Sequence, residues 1–419
     1  TAAAECGMHD RSTLLTPLGR GVPTESHSTP GTHAVCLGWA PHATAYVQAT
    51  ACSAAAPDRF HAAARRTYAG LDDARASAYT KPWFFIVLAD TQFGMLNGGD
   101  DDVAEEELAM ARLAVEHVNR LKPAFVIVCG DLINEFPSPE LTSAARAARQ
   151  TAHFKRTMDA IDATIPLVCC CGNHDVGNLP NRASIDLYRS RFGDDYFEYF
   201  INGSRCLVLN SSLLSAKEAS REGDKKEALS LAAKQDTWID ERLRAQRDAL
   251  VDSSMYWEPP LFIFTHIPPF LFARDEPKEY FNLEPSIRDP LLSKIDASVS
   301  SDRGARHPGP ACSAKWFAGH YHRNAGGWWS DRVEVITSSA IGTTFAWKEE
   351  AKGKGLAGFD WRDRRCDAAS SGLRIVCISE RYGGARHKWF KLDSIPLSII
   401  ADSDAVGGWE GDVPVVARI

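Results

Sequence analysis

Side chains that commonly bind metal ions follow five separate apolar segments of this sequence. Each segment has the length of a β-strand and is followed within a few residues by an acid, an amide or a histidine. In chain order, these residues are Asp90, Gln92, Asp131, Asn173, His174, Asp175, His266, His320 and His322. Because the carboxyl ends of strands in an α/β sheet share one edge, we expect the five loops to converge.

The ligand set is too large for a single divalent ion. Oxygen donors come from Asp90, Gln92, Asp131 and Asn173, and imidazole nitrogens come from His266, His320 and His322. Such a set suits two ions about 3.5–4 Å apart with one shared carboxylate, which is the two-metal hydrolase arrangement. The glycines before Asp131, Asn173 and His320 predict a close approach of the backbone to the metal cluster.

Each motif alone has a simpler explanation. A histidine at a strand end is most often only hydrogen-bonded, and a Gly-Asp pair is usually a turn. The tetrad Gly172-Asn173-His174-Asp175 is rarer, and all five motifs occur in order after predicted strands. The complete pattern therefore favours a catalytic metal site over a purely structural explanation.

Short apolar runs and helix-like stretches alternate from residue 81 onwards. Strands are predicted at 83–89, 124–129, 165–171, 205–209, 261–265, 315–318, 333–337 and 373–378. Helices are predicted at 103–121, 139–161 and 228–250, where apolar residues recur with a period near 3.6. Strands and helices alternate in the early part of this region, and strands predominate in the later part. This order predicts a layered α/β domain with mixed sheets.

The chain outside this domain predicts accessory segments. Residues 1–80 have little apolar periodicity, and we interpret them as an extension that wraps the domain or binds a partner. The domain itself is expected at 81–395, with surface insertions at about 295–312 and 347–371 and a tail at 396–419.

Composition and charge argue against several other classes of protein. The 419 residues include 47 Lys and Arg against 54 Asp and Glu, a net charge of −7, which argues against nucleic-acid or membrane-surface binding. The longest apolar runs are far shorter than the roughly 20 residues that cross a bilayer. We therefore expect no nucleic-acid partner and no membrane span.

Cysteine usage predicts an intracellular, reducing compartment. The 11 cysteines are an odd number, and Cys169, Cys170 and Cys171 are adjacent in a predicted strand, where they cannot pair with one another. The cytoplasm is favoured. Because the chain begins at Thr1 rather than Met, a cleaved organellar leader makes the mitochondrion the alternative.

At these motifs the sequence resembles the calcineurin-like metallophosphoesterase superfamily. The matching residues are Asp90-x-Gln92, Gly130-Asp131, Gly172-Asn173-His174-Asp175, His266 and Gly319-His320-x-His322, with flanking segments such as ADTQFG, CGDLI and GHYHRNAGG. The resemblance covers about 81–391 and implies a four-layer αββα sandwich of two mixed β-sheets. It also implies hydrolysis of phosphomonoesters, with protein phosphoserine or phosphothreonine as the favoured substrate and a small phosphoester as the other possibility.

The resemblance further implies a role for each site residue. Asp90, Gln92, Asp131 and His322 would hold one metal ion, and Asp131, Asn173, His266 and His320 the other. A metal-bridging hydroxide would attack the phosphorus, His174 would face the phosphoryl group, and Asp175 would orient His174. Gln92 stands where histidine is commoner, which tilts that site from zinc towards manganese, magnesium or iron, and the metals themselves stay open.

Two alternatives remain open at the level of sequence. The same site could act on nucleotides or phosphodiesters. The chain could instead be an accessory or structural subunit of a large assembly that retains the fold, with the extension and insertions as contact surfaces for a protein partner. Against the accessory alternative, buried carboxylates without a metal to offset their charge have a high energetic cost.

Overall fold

The computed structural model describes residues 58–74, 78–97, 103–218, 222–253, 257–300, 312–347 and 359–402. Most of the predicted extension, at 1–57, lies outside these described residues. So do the end of the predicted tail at 403–419 and parts of the two predicted insertions, at 301–311 and 348–358.

The strands and helices follow one another in a mixed order. The strands are β1 (Ala63–Ala64), β2 (Thr67–Tyr68), β3 (Trp83–Leu88), β4 (Val126–Cys129), β5 (Leu167–Cys170), β6 (Phe197–Ile201), β7 (Ser204–Val208), β8 (Leu261–Phe264), β9 (Ala314–Ala318), β10 (Ala325–Trp328), β11 (Val333–Thr337), β12 (Thr344–Trp347), β13 (Phe359–Arg365), β14 (Gly372–Ser379) and β15 (Gly384–Lys391). The helices are α1 (Glu105–Leu121), α2 (Leu141–Met158), α3 (Asn173–Val176), α4 (Arg182–Phe192), α5 (Ser211–Ser215), α6 (Glu222–Asp252) and α7 (Pro285–Val299).

Two large sheets form the centre of the domain, and both are mixed. The five-stranded sheet has the order β15-β14-β3-β4-β5, in which β3, β4 and β5 are parallel. Strand β14 pairs antiparallel with β3, and β15 pairs antiparallel with β14. The six-stranded sheet has the order β10-β11-β9-β8-β7-β6, with four parallel strands in the middle and an antiparallel strand at each edge. Two further two-stranded sheets pair β1 with β2 and β12 with β13.

Successive side chains of a strand point to opposite faces of the sheet, so one set of side chains from each sheet lies between the two sheets. Phe85 of β3, Phe125 before β4 and Phe264 of β8 all belong to the buried cluster between the sheets. The rings of Phe85 and Phe125 stack with their centroids 4.6 Å apart. Burial of each such side chain stabilises the fold by roughly 1.5–3 kcal/mol, so this aromatic layer fixes the distance between the sheets.

Helices cover the outer faces of both sheets. The other face of β3, with Ile86 and Leu88, packs against α1, α2 and α4. The outer face of β8, with Leu261 and Ile263, packs against α6 and α7. The result is a four-layer αββα sandwich, as the family resemblance implied.

Part of the predicted extension packs against the sandwich. The short hairpin of β1 and β2 places Tyr68 in the cluster between the sheets, where its hydroxyl donates a hydrogen bond to the Leu167 carbonyl over 3.0 Å. The Arg59 guanidinium donates to the carbonyls of Ile161 and Ile165. Residues 58–74 thus close one side of the five-stranded sheet.

The described part of the chain contains no helix that is both long enough and apolar enough to cross a membrane. Eight cysteines fall within it, and all eight are buried with free thiols.

Candidate metal centre

The predicted ligands follow parallel strands of both sheets. Asp90 and Gln92 follow β3, Asp131 follows β4 and Asn173 follows β5 in the five-stranded sheet. His266 follows β8, and His320 and His322 follow β9, in the six-stranded sheet. None of these seven side chains is more than 5% exposed.

Five of these seven residues have a backbone conformation that side chains other than glycine rarely adopt. They are Asp90 (φ 51°), Gln92 (φ 37°), Asp131 (φ 48°), His320 (φ 68°) and His322 (φ 54°). Each such conformation costs about 1 kcal/mol or more and persists only where the surrounding structure enforces it. The loops are therefore shaped to aim these side chains.

Asp131 forms a compact group with two histidines. The His266 Nε2 atom lies 3.1 Å from Asp131 Oδ2 and 3.1 Å from His320 Nδ1. One ligand atom from each of the three residues lies within 4.8 Å of the others. Ligand atoms bound to one ion at about 2.0–2.2 Å are separated by distances of this order, so the group can hold a cation.

Asp90 forms a second group with His322. The His322 Nε2 atom lies 3.4 Å from Asp90 Oδ1, and both Asp90 oxygens accept the His320 backbone N–H at 3.0 and 3.1 Å. The Gln92 backbone N–H donates to the Asp131 carbonyl over 2.8 Å, which ties this group to the first.

Backbone carbonyls fix the tautomer of each ligand histidine. His266 Nδ1 donates to the Cys129 carbonyl over 2.9 Å, and His322 Nδ1 donates to the Thr343 carbonyl over 2.6 Å. His320 donates from its other nitrogen, Nε2, to the Tyr280 carbonyl over 3.3 Å. With those protons assigned from the hydrogen bonds, the opposite nitrogen of each ring is the one that faces the other predicted ligands.

The glycines before the ligands allow this close packing. A Cβ on Gly130 would lie 2.6 Å from the His266 side chain, and one on Gly319 would lie 2.5 Å from Asp90 Oδ2. A Cβ on Gly172 would overlap the Asp131 side chain and backbone nitrogen. The close approach expected from the sequence is thus present at all three positions.

Two amide side chains in the site have buried polar atoms without ordinary hydrogen bonds, although Gln92 Nε2 donates to Asn134 Oδ1 over 3.4 Å. Among the described residues, three buried atoms have no partner in ordinary hydrogen-bond geometry. They are the nitrogen and the oxygen of the Asn173 amide and the Oε1 atom of Gln92. An unsatisfied buried polar atom costs about 1–3 kcal/mol. A bound cation is a partner that would satisfy buried amide oxygens of this kind.

The charges of the site also fit a cation. Burial raises the pKa of Asp90 to about 8, and burial together with the charge of Asp131 raises that of Asp175 to about 7. Burial opposes the charge on Asp131 too, but His266 and His174 hold its pKa below the ordinary value. Three buried carboxylates ionise together only when a positive charge offsets them.

The pKa values of the three predicted ligand histidines are shifted in different directions, according to their neighbours. Burial lowers the pKa of His322 to about 4 and that of His320 well below its ordinary value. Burial acts in the same direction on His266, but Asp131 and Asp90 outweigh it and raise the pKa of His266 to about 9. His320 and His322 are therefore neutral imidazoles near pH 7, the form that binds metals.

His174 lies at the edge of the cluster. Its Nε2 atom is 4.0 Å from Asp131 Oδ2, its backbone N–H donates to Asp131 Oδ1 over 3.0 Å, and its side chain is 16% exposed. Its Nδ1 atom donates to the Asn134 carbonyl over 2.5 Å. The Nε2 atom is therefore the one that faces the site.

The partner that holds the His174 ring differs from the expected one. Asp175 was expected to orient it, but the Asp175 carboxylate accepts hydrogen bonds from the backbone N–H groups of Gly172 and Leu132. The ring is held instead by the Asn134 carbonyl and by Phe136, whose ring centroid lies 4.0 Å away. Asp175 thus ties together the loops that follow β4 and β5.

Three further residues support the site without a signal in the sequence. The buried Glu107 carboxylate accepts backbone N–H groups of Gly94 and Leu96 over 2.8 Å each, which braces the loop after Gln92. The Tyr280 ring lies 5.1 Å from the His320 ring, and Phe136 covers His174. Such contacts depend on tertiary packing and have no characteristic spacing.

Carboxylates and imidazoles that meet at one edge of an αββα sandwich define a metal-dependent hydrolase. A calcineurin-like phosphoesterase family model matches residues 85–324. The chain belongs to this calcineurin-like phosphoesterase family, whose members hydrolyse phosphoric esters with divalent metal ions. The resemblance seen in the motifs is thereby confirmed.

Individual relatives cover most of the chain. Serine/threonine-protein phosphatase CPPED1 of Homo sapiens is 35% identical over 356 residues, 82% of this chain and 94% of the relative. The protein of the same name from Danio rerio is 32% identical over 289 residues, 66% of this chain and 82% of the relative. The more specific similarity of the flanking motifs, to calcineurin-like phosphoesterase domain-containing protein 1, agrees with these relatives.

A solved structure, that of a dimetal phosphatase from Danio rerio, aligns with a TM-score of 0.46 at 16% identity. The alignment covers 71% of this chain and 96% of that chain.

Proposed function

We propose that this chain is a two-metal phosphomonoesterase that removes phosphate from phosphoserine and phosphothreonine in proteins. The observation that carries the proposal is the position of Asp131, a buried carboxylate beside two histidines and linked to a second group of ligands. A shared carboxylate between two ligand groups is the feature that distinguishes a dinuclear site from a mononuclear one.

The family resemblance divides the ligands into two groups. Asp90, Gln92, Asp131 and His322 would hold one ion, and Asp131, Asn173, His266 and His320 would hold the other. The unsatisfied amide oxygens of Gln92 and Asn173 support this division, because one belongs to each group. Bound divalent ions would supply Lewis acidity to a phosphoryl oxygen and an attacking water, and would leave the site positive towards a phosphate dianion.

His174 acts on the leaving group in this proposal. Its Nδ1–H is committed to the Asn134 carbonyl, so a second proton on the ring is carried by Nε2, the atom that faces Asp131 and the site. We assign to that Nε2–H the donation of a proton to the departing alkoxide oxygen. General-acid catalysis of this kind contributes about 10²- to 10⁴-fold in rate.

The substrate class rests on the relatives. Serine/threonine-protein phosphatase is the printed name of the Homo sapiens and Danio rerio relatives, which share about a third of their residues with this chain. Free buried thiols at eight cysteines support action in a reducing compartment, where phosphorylated proteins are abundant.

A metal analysis paired with three substrates tests the proposal. The purified protein is analysed for bound elements and assayed with a phosphoserine peptide, a cyclic nucleotide and p-nitrophenyl phosphate. We expect two metal equivalents, the highest kcat/KM on the peptide, and loss of turnover on chelation that returns when metal is added.

Each other outcome selects a different conclusion. A preference for the cyclic nucleotide would replace the phosphomonoesterase assignment with a phosphodiesterase. Bound metal without turnover of any ester would favour the accessory role, and the absence of metal from an active sample would remove the two-metal site altogether.

A further inference from the structure

A buried arginine in one sheet contacts the loop that carries two predicted ligands in the other sheet. Arg374 lies in β14 and is fully buried. Its neighbours on the same face of the strand, Val376 and Ile378, belong to the cluster between the sheets. The Arg374 side chain therefore points from the five-stranded sheet towards the six-stranded sheet.

The guanidinium of Arg374 is held by acceptors at the end of β11 and in the loop after β9. Its Nε donates to Ser338 Oγ over 2.8 Å, and its Nη2 donates to Asn324 Oδ1 over 2.7 Å and to the Thr337 carbonyl over 3.3 Å. A buried guanidinium is tolerated only with fixed acceptors in a planar fork, so this geometry restrains both segments.

Those acceptors connect directly to the ligand loop. Asn324, two residues after His322, also accepts the Ser339 backbone N–H over 3.3 Å. The Ser339 hydroxyl in turn donates to the His322 carbonyl over 2.9 Å. Arg374 is thus linked through Asn324 and Ser339 to the backbone carbonyl of His322, a residue with positive φ.

Arg374 also bonds a second set of buried residues. Among the described contacts, these residues do not reach the loop that carries His320 and His322. Arg374 Nη1 donates to His387 Nδ1 over 2.9 Å, and His387 Nε2 donates to Glu334 Oε1 over 3.2 Å. Lys315 completes this set with a bond of 2.5 Å from Nζ to Glu334 Oε2. Lys315 and Arg374 are therefore matched: both are buried cations in one network, but only one contacts Asn324.

We propose that Arg374 is a positioning residue that holds the loop of His320 and His322 in metal-binding geometry through Asn324 and Ser339. The inference rests on the proposed function, because it treats these two histidines as metal ligands. Residues that bond a metal ligand directly typically change metal affinity by about 10- to 100-fold when they are replaced, and Ser339, which bonds both His322 and Asn324, is such a residue.

Manganese binding to the metal-free protein provides the test. Mn²⁺ affinity is measured by calorimetry and by the electron paramagnetic resonance spectrum for the wild type, Arg374→Met and Lys315→Met. We expect Arg374→Met to bind Mn²⁺ about 10- to 100-fold more weakly with an altered spectrum. Lys315→Met should keep the wild-type affinity and spectrum, although both variants lower the melting temperature.

Asn324 supplies a second pair of variants in case Arg374→Met does not fold. Asn324 is only half-buried, so Asn324→Ala should fold, and we expect it to weaken Mn²⁺ binding about tenfold. Asn324→Asp retains the oxygen that accepts from Arg374 and Ser339, and it should bind at least as tightly as the wild type.

The outcomes separate this inference from the function on which it rests. Wild-type affinity in both Arg374→Met and Asn324→Ala would overturn the positioning role while leaving the two-metal site intact. Equal weakening in Lys315→Met would also overturn it, since that result would indicate general loosening between the sheets. A wild-type protein that binds no Mn²⁺ or other divalent ion would overturn the proposed function itself, and the positioning role with it.

Discussion

The two sheets contribute chemically different ligands to the candidate site. The loops of the five-stranded sheet supply oxygen, from Asp90, Gln92, Asp131 and Asn173. The loops of the six-stranded sheet supply nitrogen, from His266, His320 and His322. Neither set is complete alone, so the site depends on how the two sheets pack against each other.

This division makes the separation of the two sheets important for the site. The aromatic layer around Phe85, Phe125 and Phe264 sets the separation of the sheets. A change in that separation would move oxygen donors relative to imidazoles, and metal binding is sensitive to shifts of a few tenths of an ångström. Substitutions that test the division should therefore affect metal binding in different ways for the two sheets.

Removal of the carboxylate shared by both ligand groups should have the largest effect. Asp131→Ala leaves each group without its common oxygen, so we expect loss of both ions and a fall in turnover of about 10⁴-fold or more. Elemental analysis and kcat/KM on a phosphoserine peptide provide the measurement. Asp195→Asn, at a buried carboxylate bonded to Arg66 and Arg189, serves as the control and should retain metal.

His174 is the exception to the division, since it is a histidine in a loop of the five-stranded sheet. We expect His174→Ala to retain wild-type metal content but to lower kcat by about 10²- to 10⁴-fold, because its Nε2 atom serves the leaving group. Metal content and kcat measured on the same sample distinguish a catalytic role of His174 from a role as a metal ligand. Loss of metal would place His174 among the ligands, and full activity would remove it from the chemistry.

The contact between the loops after β4 and β5 can be broken with a single methyl group. In Gly172→Ala the new Cβ would overlap Asp131, including its backbone nitrogen, which cannot rotate away. We expect metal affinity to fall by about 1–3 kcal/mol, which is roughly 5- to 160-fold. Gly327→Ala, whose Cβ would meet its nearest neighbour at 3.4 Å, should bind metal normally in the same titration.

An imidazole in the five-stranded sheet would make the two ligand groups more alike. Gln92→His replaces an amide oxygen with nitrogen, so we expect the ratio of Zn²⁺ to Mn²⁺ affinity to rise by about tenfold, near 1.4 kcal/mol. Competition between the two ions, followed by elemental analysis, measures that ratio. An unchanged ratio would show that residue 92 does not contact the ion.

The smallest effect concerns pH and the metal-free protein. The pKa values of Asp90 and Asp175 are raised to about 8 and 7, and that of His266 to about 9. Between pH 6.5 and 8 the folded chain retains protons that the unfolded chain releases, so stability should fall as pH rises. Folding lowers the pKa values of His320 and His322, so these two groups oppose the trend near pH 6.5, where the unfolded imidazoles are partly protonated, but the three raised pKa values outweigh them.

Melting temperatures with and without metal check this sign. The metal-free protein should melt a few degrees lower at pH 8 than at pH 6.5. Added metal should remove or reverse the trend, because ligands that bind metal have already lost their protons. A metal-free protein that gains stability towards pH 8 would show that these carboxylates ionise without a cation.

Much of the fold was predictable because its central strands carry continuous apolar runs. All eight predicted strands and all three predicted helices are present, among them β3, β4 and α1. The strands that escaped prediction include β10 and β15, which lie at the edges of the sheets. Edge strands are partly solvated and carry polar residues such as Arg386 and Lys388, so the apolar signal is weak.

The candidate site also contains residues that could be predicted from the sequence and residues that could not. The ligands were predictable because strand ends in the sequence become neighbours in space, whatever the details of packing. The supports were not, because Arg374 in β14 and Glu107 in α1 meet their partners only after distant loops have folded. A buried arginine in a strand carries no spacing rule that connects it to a histidine loop.

The histidine tautomers depend on the main chain alone. The acceptors are the carbonyl oxygens of Cys129, Thr343, Tyr280 and Asn134, not their side chains. Any residue at those four positions offers the same oxygen, provided that the backbone keeps its path. The nitrogen that each ring presents to the site is thus set by carbonyl oxygens, which do not depend on the chemistry of the side chains at those four positions.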